Sequence, residues 1–361
     1  MKDKLPFSST LILVLLLAIA PAALASTTWY VNGVSGSNSN NCLSASAACK
    51  TIGHAISLAA SGDTIMVAAA TYAEHLTISF NLNLIGSGAS TTVINGELAG
   101  RVVTISSSIA SVTLSMMTIW DGLVGGSVAR GGGIFNSGTL TINNCTIAYN
   151  QLKGSNGSFG IGIYNAGSLT INNSTVNQNR GGPISGGGGI YNMGKVTLNN
   201  STLTGNSATL GGGIDNASGT VGVFSSTFSS NSAGKGANIL TSGGRATVQN
   251  SIMANSPREA NCSGAITSNG YNMSSDGTCA FYNSGDRNNT DPLLGALGNY
   301  GGPTQTIPLL SGSPAIDAGN PSGCTDGQGH LLKTDQRGQP RPDKKEDTTG
   351  CDMGAYERQT D

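Results

Sequence analysis

The amino-acid sequence predicts an all-β fold, a right-handed parallel β-helix solenoid in which short strands stack coil upon coil. The first observation is a repeat, because one pattern recurs five times between Gly131 and Asn255. Its matched isoleucines are Ile134, Ile163, Ile190, Ile214 and Ile239, so successive copies are 29, 27, 24 and 25 residues apart. A period of roughly 20–50 residues is typical of stacked architectures, since one unit cannot bury its apolar face alone.

The second observation is the alternation of apolar and polar residues inside each copy. Stretches such as Leu140–Ile142 alternate with a period of two, which predicts short strands. Helical spacing is missing from the repeats, and Gly and Asn separate the strands, which favours a parallel β-helix over helical or leucine-rich repeats. Stacking the copies in register predicts two inward apolar columns. They are Ile142, Ile171, Leu198, Val223 and Val248, and Ile147, Val176, Leu203, Phe228 and Met253.

Asparagine recurs at two further positions of the repeat. One file is Asn144, Asn173, Asn200, Ser225 and Asn250, and the other is Asn136, Asn165, Asn192 and Asn216. We expect the first file to hold a left-handed bend, and the side chains of both files to hydrogen-bond from coil to coil. Three of these asparagines also match the glycosylation pattern, but their phase with the repeat favours the structural interpretation.

The segments flanking the repeats predict the rest of the domain organisation. Residues 1–25 have the pattern of a secretory signal peptide, with Lys2 and Lys4 before an apolar run too short to span a membrane. Residues 26–63 predict an extended segment and a capping helix with Ile52, Ile56 and Ala59 on one face. The β-helix is expected over residues 64–260, with the five clear repeats in 131–255, and an irregular C-terminal cap over 261–361.

Seven cysteines in an exported chain predict disulfide bonds. Local pairing is the simplest of many connectivities, and it joins neighbours in the sequence. The pairs are Cys42 with Cys49, Cys262 with Cys279, and Cys324 with Cys351. Cys145 is then left alone, and the repeats contain no histidine that could activate it as a nucleophile.

The charge balance bears on the partners of the protein. Removing Lys2, Asp3 and Lys4 with the signal peptide changes 18 basic and 19 acidic residues to 16 and 18, a formal charge of −2. A nearly neutral surface with few basic residues argues against nucleic acid as a partner. We expect a secreted, extracellular monomer that has no membrane span in its mature chain and needs no cofactor.

Short motifs near both ends resemble known families. Trp29-Tyr30-Val31, Cys49-Lys50-Thr51-Ile52 and Gly62-Asp63-Thr64-Ile65 resemble the start of secreted right-handed β-helix proteins of the pectate-lyase-like superfamily. The tail resembles the bacterial choice-of-anchor Q domain. The tail motifs are Asp291-Pro292-Leu293-Leu294-Gly295, Gly301-Gly302-Pro303-Thr304-Gln305-Thr306, Gly312-Ser313-Pro314-Ala315-Ile316-Asp317-Ala318-Gly319, Thr334-Asp335-Gln336-Arg337-Gly338, Arg341-Pro342 and Cys351-Asp352-Met353-Gly354-Ala355-Tyr356-Glu357. Family members often carry a surface-sorting segment after this domain, and none follows here, so we expect release from the cell.

The superfamily resemblance raises the question of catalysis on polysaccharides. Hydrolysis needs a pair of carboxylates, and Asp215 is the only acidic residue between Val124 and Pro257. β-Elimination needs a base and usually Ca²⁺ on several carboxylates, which the same span does not contain. We therefore assign no catalytic residue and expect a binding or structural protein, adhesin-like and glycan-associated. The alternative is a polysaccharide lyase or hydrolase acting on an acidic glycan.

Variable inserts interrupt the repeats at one phase, so they are expected to project from one face. Aromatic and basic residues in or beside them predict a single groove for an acidic extracellular or cell-wall polysaccharide. The candidate glycan-binding residues are Trp120, Asp121, Arg130, Tyr149, Lys153, Phe159 and Arg180. The alternative is that these residues belong to solvated loops with no ligand.

The tail also carries a cluster of acidic residues. Its members are Asp317, Asp326, Asp335, Asp343, Glu346, Asp347, Asp352 and Glu357, beside Arg337 and Arg341. Asp335, Asp352 and Glu357 are candidate Ca²⁺ ligands. The alternative interpretation is that Asp335, Arg337, Asp352 and Glu357 form ion pairs and backbone hydrogen bonds that hold the tail together.

Overall fold

The computed structural model describes residues 26–257, 260–343 and 350–360. The predicted signal peptide, Glu346 and Asp347 lie outside these residues. The described chain is a parallel β-helix with a helical N-terminal cap and an irregular C-terminal part, so the predicted fold class is confirmed. Each coil contributes one strand to each of three faces, which we call faces A, B and C in chain order.

The strands of each face pair in parallel with those of the coils above and below. Face A contains Thr28–Val31, Asp63–Val67, Leu82–Gly86, Ser111–Ser115, Thr139–Asn143, Ser168–Asn172, Lys195–Asn199, Thr220–Phe224 and the second half of Ile239–Gln249. Face B contains Ala70–Ala73, Thr92–Asn95, Thr118–Trp120, Thr146–Ala148, Thr175–Asn177, Thr202–Thr204, Thr227–Ser229, Ile252–Ala254 and Met273–Ser274. Face C contains Leu76–Ile78, Val103–Ile105, Ile134–Asn136, Ile163–Asn165, Ile190–Asn192, Ile214–Asn216, the first half of Ile239–Gln249, and Cys262–Ser268, which pairs with both halves of that long strand.

The inserts lie between faces B and C and form two small parallel sheets of their own. The first consists of Leu123–Gly126, Gln151–Gly154 and Arg180–Gly181, and the second of Ala129–Arg130, Ser158–Phe159 and Ser185–Gly186. Their common position confirms that the inserts project from one side of the coil stack.

The interior consists of aliphatic columns in register. All ten residues of the two predicted inward columns are fully buried. Ile171, for example, lies between Ile142 and Leu198 on face A and has no exposed surface. The period-two alternation therefore assigned the inward side correctly, because successive side chains of a strand point to opposite faces.

The N-terminal opening of the stack is covered by a short helix, Ile52–Leu58. The Thr51 hydroxyl caps it by accepting from the His54 amide at 3.3 Å, and the Glu74 carboxylate accepts from the Ile52 and Gly53 amides. Two residues of the helix, Ile52 and Ala55, are fully buried against the end of the stack. The helix ends at Leu58, before Gly62, because Ala59 already has extended backbone angles.

The asparagine files differ in what they bond. The first file forms the bend between faces A and B, as predicted, with φ of 53° at Asn144 and 49° at Asn173. Two of its side chains bond residues of the C-terminal part instead of a neighbouring coil: Asn200 donates to the Thr334 carbonyl oxygen, and Asn250 Oδ1 accepts from the Asn320 amide. The second file forms the predicted chain, in which Asn136 donates to Asn165 at 2.8 Å and Asn165 to Asn192 at 2.8 Å.

A further buried file lies at the corner between faces B and C, and the sequence analysis did not identify it. Each side-chain amide donates to the next side-chain carbonyl at 2.9–3.0 Å. Its members are Asn150, Asn179, Asn206, Asn231, Asn238 and Asn261. The signal was the asparagine that closes the first four copies of the repeat.

The three predicted disulfides, Cys42–Cys49, Cys262–Cys279 and Cys324–Cys351, are present, and Cys145 is a buried free thiol. Burial raises the pKa of the Cys145 thiol to about 12, so it is not a nucleophile at neutral pH.

The C-terminal part covers two different surfaces. Strand pairing continues past residue 260 through Cys262–Ser268 and Met273–Ser274, and Phe281 then closes the end of the core. Residues 291–343 and 350–360, which we call the tail, lie mainly along the outside of face B instead of extending the end cap, and the Gly327 amide also reaches face A, where it donates to Asn199 Oδ1 at 3.1 Å. Met353 and Leu309 of the tail pack on Ile252 and Met273 of face B.

Candidate functional site

A column of threonines on the outside of face B receives the tail. The column comprises Thr118, Thr146, Thr175, Thr202 and Thr227, which are neighbours in register on successive coils. The Thr227 hydroxyl accepts from the Ala355 amide at 3.0 Å, and the Thr202 hydroxyl donates to Gln336 Oε1 at 2.6 Å. The tail therefore covers the threonines of the later coils.

Gln336 is the centre of this docking and has no exposed surface. Its Nε2 donates to Thr175 Oγ1 at 3.0 Å, on face B, and to Thr304 Oγ1 at 2.9 Å, within the tail. Its Oε1 also accepts from Thr306 Oγ1 at 3.1 Å. One side chain thus fixes the tail segment around Thr304 on the coil of Thr175.

A cleft of about 350 Å³ opens on face B at the edge of the area that the tail covers. Thr118, Thr146 and Asn177 of face B form its floor, and tail residues from Asn299 to Gln305 form one wall. None of the described residues that line it carries a charge. The cleft is therefore a neutral, partly apolar concavity built jointly by the repeats and the tail.

Trp120 and Tyr149 provide the aromatic part of the cleft. Trp120 ends one strand of face B, and Tyr149 directly follows the next strand, Thr146–Ala148, in a left-handed conformation with φ of 57°. Their ring centroids are 4.4 Å apart, and the planes are tilted by 36°. Tyr149 is 43% exposed, so an aromatic surface is available to a ligand.

Asn177 carries an unusual polar atom in the floor of the cleft. The residue is 4% exposed, and within the described part of the chain its Oδ1 accepts no hydrogen bond. A buried acceptor without a donor costs about 1–3 kcal/mol, so this atom is suited to a donor from a ligand.

The structure does not unite the seven predicted glycan-binding residues in one groove. Trp120 and Tyr149 line the cleft on face B, whereas Arg130 and Phe159 lie beside face C. The remaining three do not line the cleft either. Lys153 and Arg180 are exposed on the insert sheet, Arg180 donates to Gln178 Oε1 at 2.7 Å, and Asp121 turns the chain at φ of 51°. The expected single groove is thus wrong. Each insert begins at face B and ends at face C, so the residues at its two ends lie on different faces.

Face C carries a stack of aromatic rings that the sequence analysis did not single out. Phe135, Tyr164 and Tyr191 lie one above another, with centroids 5.2 and 5.6 Å apart and planes within 12°. The exposed Arg130 lies over the Tyr164 ring at 5.5 Å. The signal was the aromatic residue between Ile and Asn in the first three copies of the repeat. Because the rings face one another, the stack serves mainly the fold.

Asp215 follows these rings on the next coil of face C, where the insert residue Gly186 packs against it. Burial raises the pKa of Asp215 to about 6, although the Ser242 hydroxyl donates to its Oδ1 at 3.1 Å. Among the groups that perturb it in the described chain there is no second carboxylate. Within the described residues, no second carboxylate therefore stands beside Asp215 as a partner for acid–base catalysis.

The raised pKa of Asp215 predicts a pH dependence of stability. A carboxyl group whose pKa rises on folding stabilises the protein fully below its unfolded pKa of about 4, and this contribution is lost as pH rises through about 6. We expect Asp215→Asn to raise the free energy of unfolding at pH 8 by about 3 kcal/mol and to leave it nearly unchanged at pH 4. Urea unfolding at both pH values measures this, with the exposed Asp291→Asn as the control. An equal pH dependence in wild type and Asp215→Asn would contradict it.

The three candidate Ca²⁺ ligands of the tail, Asp335, Asp352 and Glu357, are occupied by protein groups. Asp335 Oδ2 accepts from the Arg337 guanidinium at 2.7 Å and the Glu357 amide at 3.0 Å. Arg341 Nε lies 3.0 Å from Glu357 Oε2, and Asp352 accepts from the Asp317 amide at 2.8 Å. Burial raises the pKa of Asp352 and Glu357. These contacts match the alternative interpretation, a charge network that holds the tail.

The Ca²⁺ assignment of Asp335, Asp352 and Glu357 is not supported, because Arg337 pairs with Asp335, Arg341 pairs with Glu357, and Asp352 accepts from two backbone amides. The one close group of three metal-ligating residue types in the described ranges is Cys42, Cys49 and His54. Its two thiols form a disulfide, so they cannot act as thiolate ligands.

Comparison with known proteins gives no family. The sequence matches no protein-family model and no curated protein. Among solved structures, a pectin methylesterase from carrot aligns over 73% of this chain and 84% of its own, with 13% identity and a TM-score of 0.35. The pectate lyase Pel9A aligns over 93% of this chain and 98% of its own, with 15% identity and a TM-score of 0.41. These values are too low to support an argument, so the fold assignment rests on the strand pairing itself.

In the described ranges, no helix is long and apolar enough to cross a membrane.

Proposed function

We propose that this is a secreted, non-catalytic glycan-binding protein and that the cleft on face B is its saccharide site. The observation that carries the proposal is the pair Trp120 and Tyr149 in a concave site whose other groups are hydroxyls, amides and backbone. An aromatic surface with a few fixed polar groups is typical of sites for small organic ligands.

Two features of the chain support the absence of catalysis. The described lining of the cleft offers no carboxylate, histidine or cysteine as acid, base or nucleophile. Asp215, the sole acidic residue of the regular repeats, lies on face C without a carboxylate partner. The alternative, a lyase or hydrolase acting on an acidic glycan, would need such a pair or a metal cluster.

Secretion and the identity of the tail belong to the same proposal. Three disulfides favour an oxidising compartment, in agreement with the signal-like residues 1–25. We also propose that the tail is a choice-of-anchor Q domain and that the protein acts as a monomer on an extracellular or cell-wall polysaccharide. Support for the tail comes from Gln336, Arg337 and Glu357, which lie in its quoted motifs and make its docking and ion-pair contacts.

A glycan array followed by titration calorimetry tests the proposal. We expect Trp120→Ala and Tyr149→Ala each to weaken binding of the best glycan about tenfold or more, since the loss of one stacking surface costs about 1.4 kcal/mol or more. Tyr282→Ala is the matched control, because Tyr282 is an 85% exposed aromatic residue outside the cleft. Absence of glycan binding, or release of new reducing ends or unsaturated uronides by the wild type, would overturn the proposal.

A further inference from the structure

We propose that the cleft on face B selects an uncharged saccharide, and not the acidic glycan that the sequence led us to expect. This inference rests on the proposed glycan-binding function and specifies its ligand class. Three properties of the cleft carry it: its lack of charge, its buried acceptor and the origin of its wall.

The first property is the absence of a cation where a uronate carboxylate would need one. Within the described structure, the residues lining the cleft carry only neutral polar groups, such as those of Ser90, Thr146 and Asn299. A carboxylate moved into such a site loses hydration without an ion pair to offset the loss. A sugar hydroxyl meets no comparable penalty, because neutral hydroxyls and amides can exchange hydrogen bonds with it.

The basic residues that suggested an acidic ligand lie elsewhere. Arg130 is over the Tyr164 ring on face C, and Arg180 bonds Gln178 at the edge of the inserts. Lys153 is on the insert strand Gln151–Gly154, in register with Gly125. Arg130, Lys153 and Arg180 are therefore not among the residues that form the cleft.

The second property is the buried Asn177 Oδ1, which accepts no hydrogen bond within the described residues. An amide oxygen needs a donor, which any sugar hydroxyl supplies and an ionised carboxylate does not. This atom therefore favours a saccharide hydroxyl and disfavours a carboxylate at its position, while the choice between neutral and acidic sugars rests on the uncharged lining. The Tyr149 backbone amide donates to the backbone carbonyl oxygen of Asn177 at 3.3 Å, so the residue that carries this acceptor is hydrogen-bonded to a member of the aromatic pair. A hydroxyl of a sugar stacked on Tyr149 is thus a suitable donor for Asn177.

The third property is that the opposite wall comes from the tail. Gln336 bonds both Thr304 Oγ1 and the Gln305 carbonyl oxygen, so it holds the segment that faces Trp120 and Tyr149. This wall is also uncharged, and it exists only while the tail is docked. The selectivity for neutral sugars is consequently a property of the repeats and the tail together.

Titration calorimetry with two classes of probe tests the inference on the full mature chain. The neutral probes are gluco-, manno- and xylo-hexaoses, and the acidic probe is hexagalacturonate. We expect a neutral hexaose to bind at least about tenfold more tightly than hexagalacturonate, and its affinity to change little between about 0.05 and 0.5 M NaCl, because no ion pair is screened. Asn177→Ala is expected to weaken the neutral hexaose about tenfold, with the exposed Asn156→Ala as the control.

The outcomes separate this inference from the proposed function. Binding of hexagalacturonate that Trp120→Ala abolishes would overturn the neutral class and leave the glycan site in place. Binding of hexagalacturonate that Arg130→Ala abolishes and Trp120→Ala does not would overturn the cleft and move the site to face C. No binding of any probe would overturn both proposals. If Asn177→Ala fails to fold, Tyr149→Ala at an exposed position tests the same neutral binding.

Discussion

Replacement of Ile171 by aspartate will prevent the protein from folding. Ile171 is fully buried in the inward column of face A, between Ile142 and Leu198. A carboxylate there would have no partner within an aliphatic stack. The free-energy cost of burying an unpaired charge exceeds the usual free energy of unfolding of a domain. Ile171→Ala, which only deletes buried methyl groups, should cost about 2–5 kcal/mol.

Soluble expression, circular dichroism and urea unfolding measure both effects. Thr170→Asp is the matched control, because it places the same charge on the same strand at the outward neighbour of Ile171. We expect Thr170→Asp to change the free energy of unfolding by less than about 1 kcal/mol. An Ile171→Asp variant that unfolds at the wild-type urea concentration would show that the inward side of face A is wrongly assigned.

Replacement of Gln336 by alanine will release the tail from face B. Gln336 is fully buried and bonds Thr175 and Thr202 of the repeats as well as Thr304 and Thr306 of the tail. Of these four bonds, only those to Thr175 and Thr202 join the tail to face B, and each contributes about 1 kcal/mol, so we expect docking to weaken by about 2 kcal/mol. The stacked repeats have their own core and should stay folded.

Limited proteolysis detects this release. Trypsin should cut the variant at the exposed Lys333 many times faster than the wild type, while the repeats resist. Gln328→Ala is the matched control, since Gln328 is exposed in the same tail. Equal cleavage rates for Gln336→Ala and wild type would mean that the contacts of Leu309, Met353 and Ala355 with face B hold the tail without Gln336.

The release also has a functional consequence. Because Gln336 holds the wall from Gly302 to Gln305, Gln336→Ala should weaken saccharide binding even though Trp120 and Tyr149 are unchanged. A variant with a released tail and wild-type affinity would show that the wall adds nothing to the site.

The sequence by itself determined the coil stack and its interior. Alternation decides which side chains of a strand point inward, and the common phase of the repeats decides which ones meet on neighbouring coils. The inward positions of Ile142, Ile171 and Leu198 therefore follow from the sequence, as does the left-handed bend at Asn144 and Asn173. Local pairing of the six disulfide cysteines was the simplest of many connectivities open to the sequence, and the structure contains those three pairs.

Only the tertiary structure decided where polar side chains point. The repeat phase of Asn144 and Asn136 is equally regular, yet the Asn136 file bonds from coil to coil while Asn200 of the other file turns outward to Thr334. The phase gives a position along the coil, whereas the direction of a side chain at a corner depends on the backbone on both sides of it. For the same reason, Trp120 and Arg130 were placed in one groove although they lie on different faces.

No local sequence pattern predicts the cleft. Its floor and its wall are far apart in the sequence. Thr304 of the wall donates to the Asn173 carbonyl oxygen across 131 positions, and Gln336 bonds Thr175 across 161 positions. No periodicity connects the irregular tail to a particular column of the repeats. The repeating part of the molecule follows from contacts between successive coils, which recur in the sequence. The candidate site depends on the long-range docking of the tail on face B, which no repeat in the sequence signals. The neutral character of the site depends on that docking too, because the docked tail supplies one of its walls.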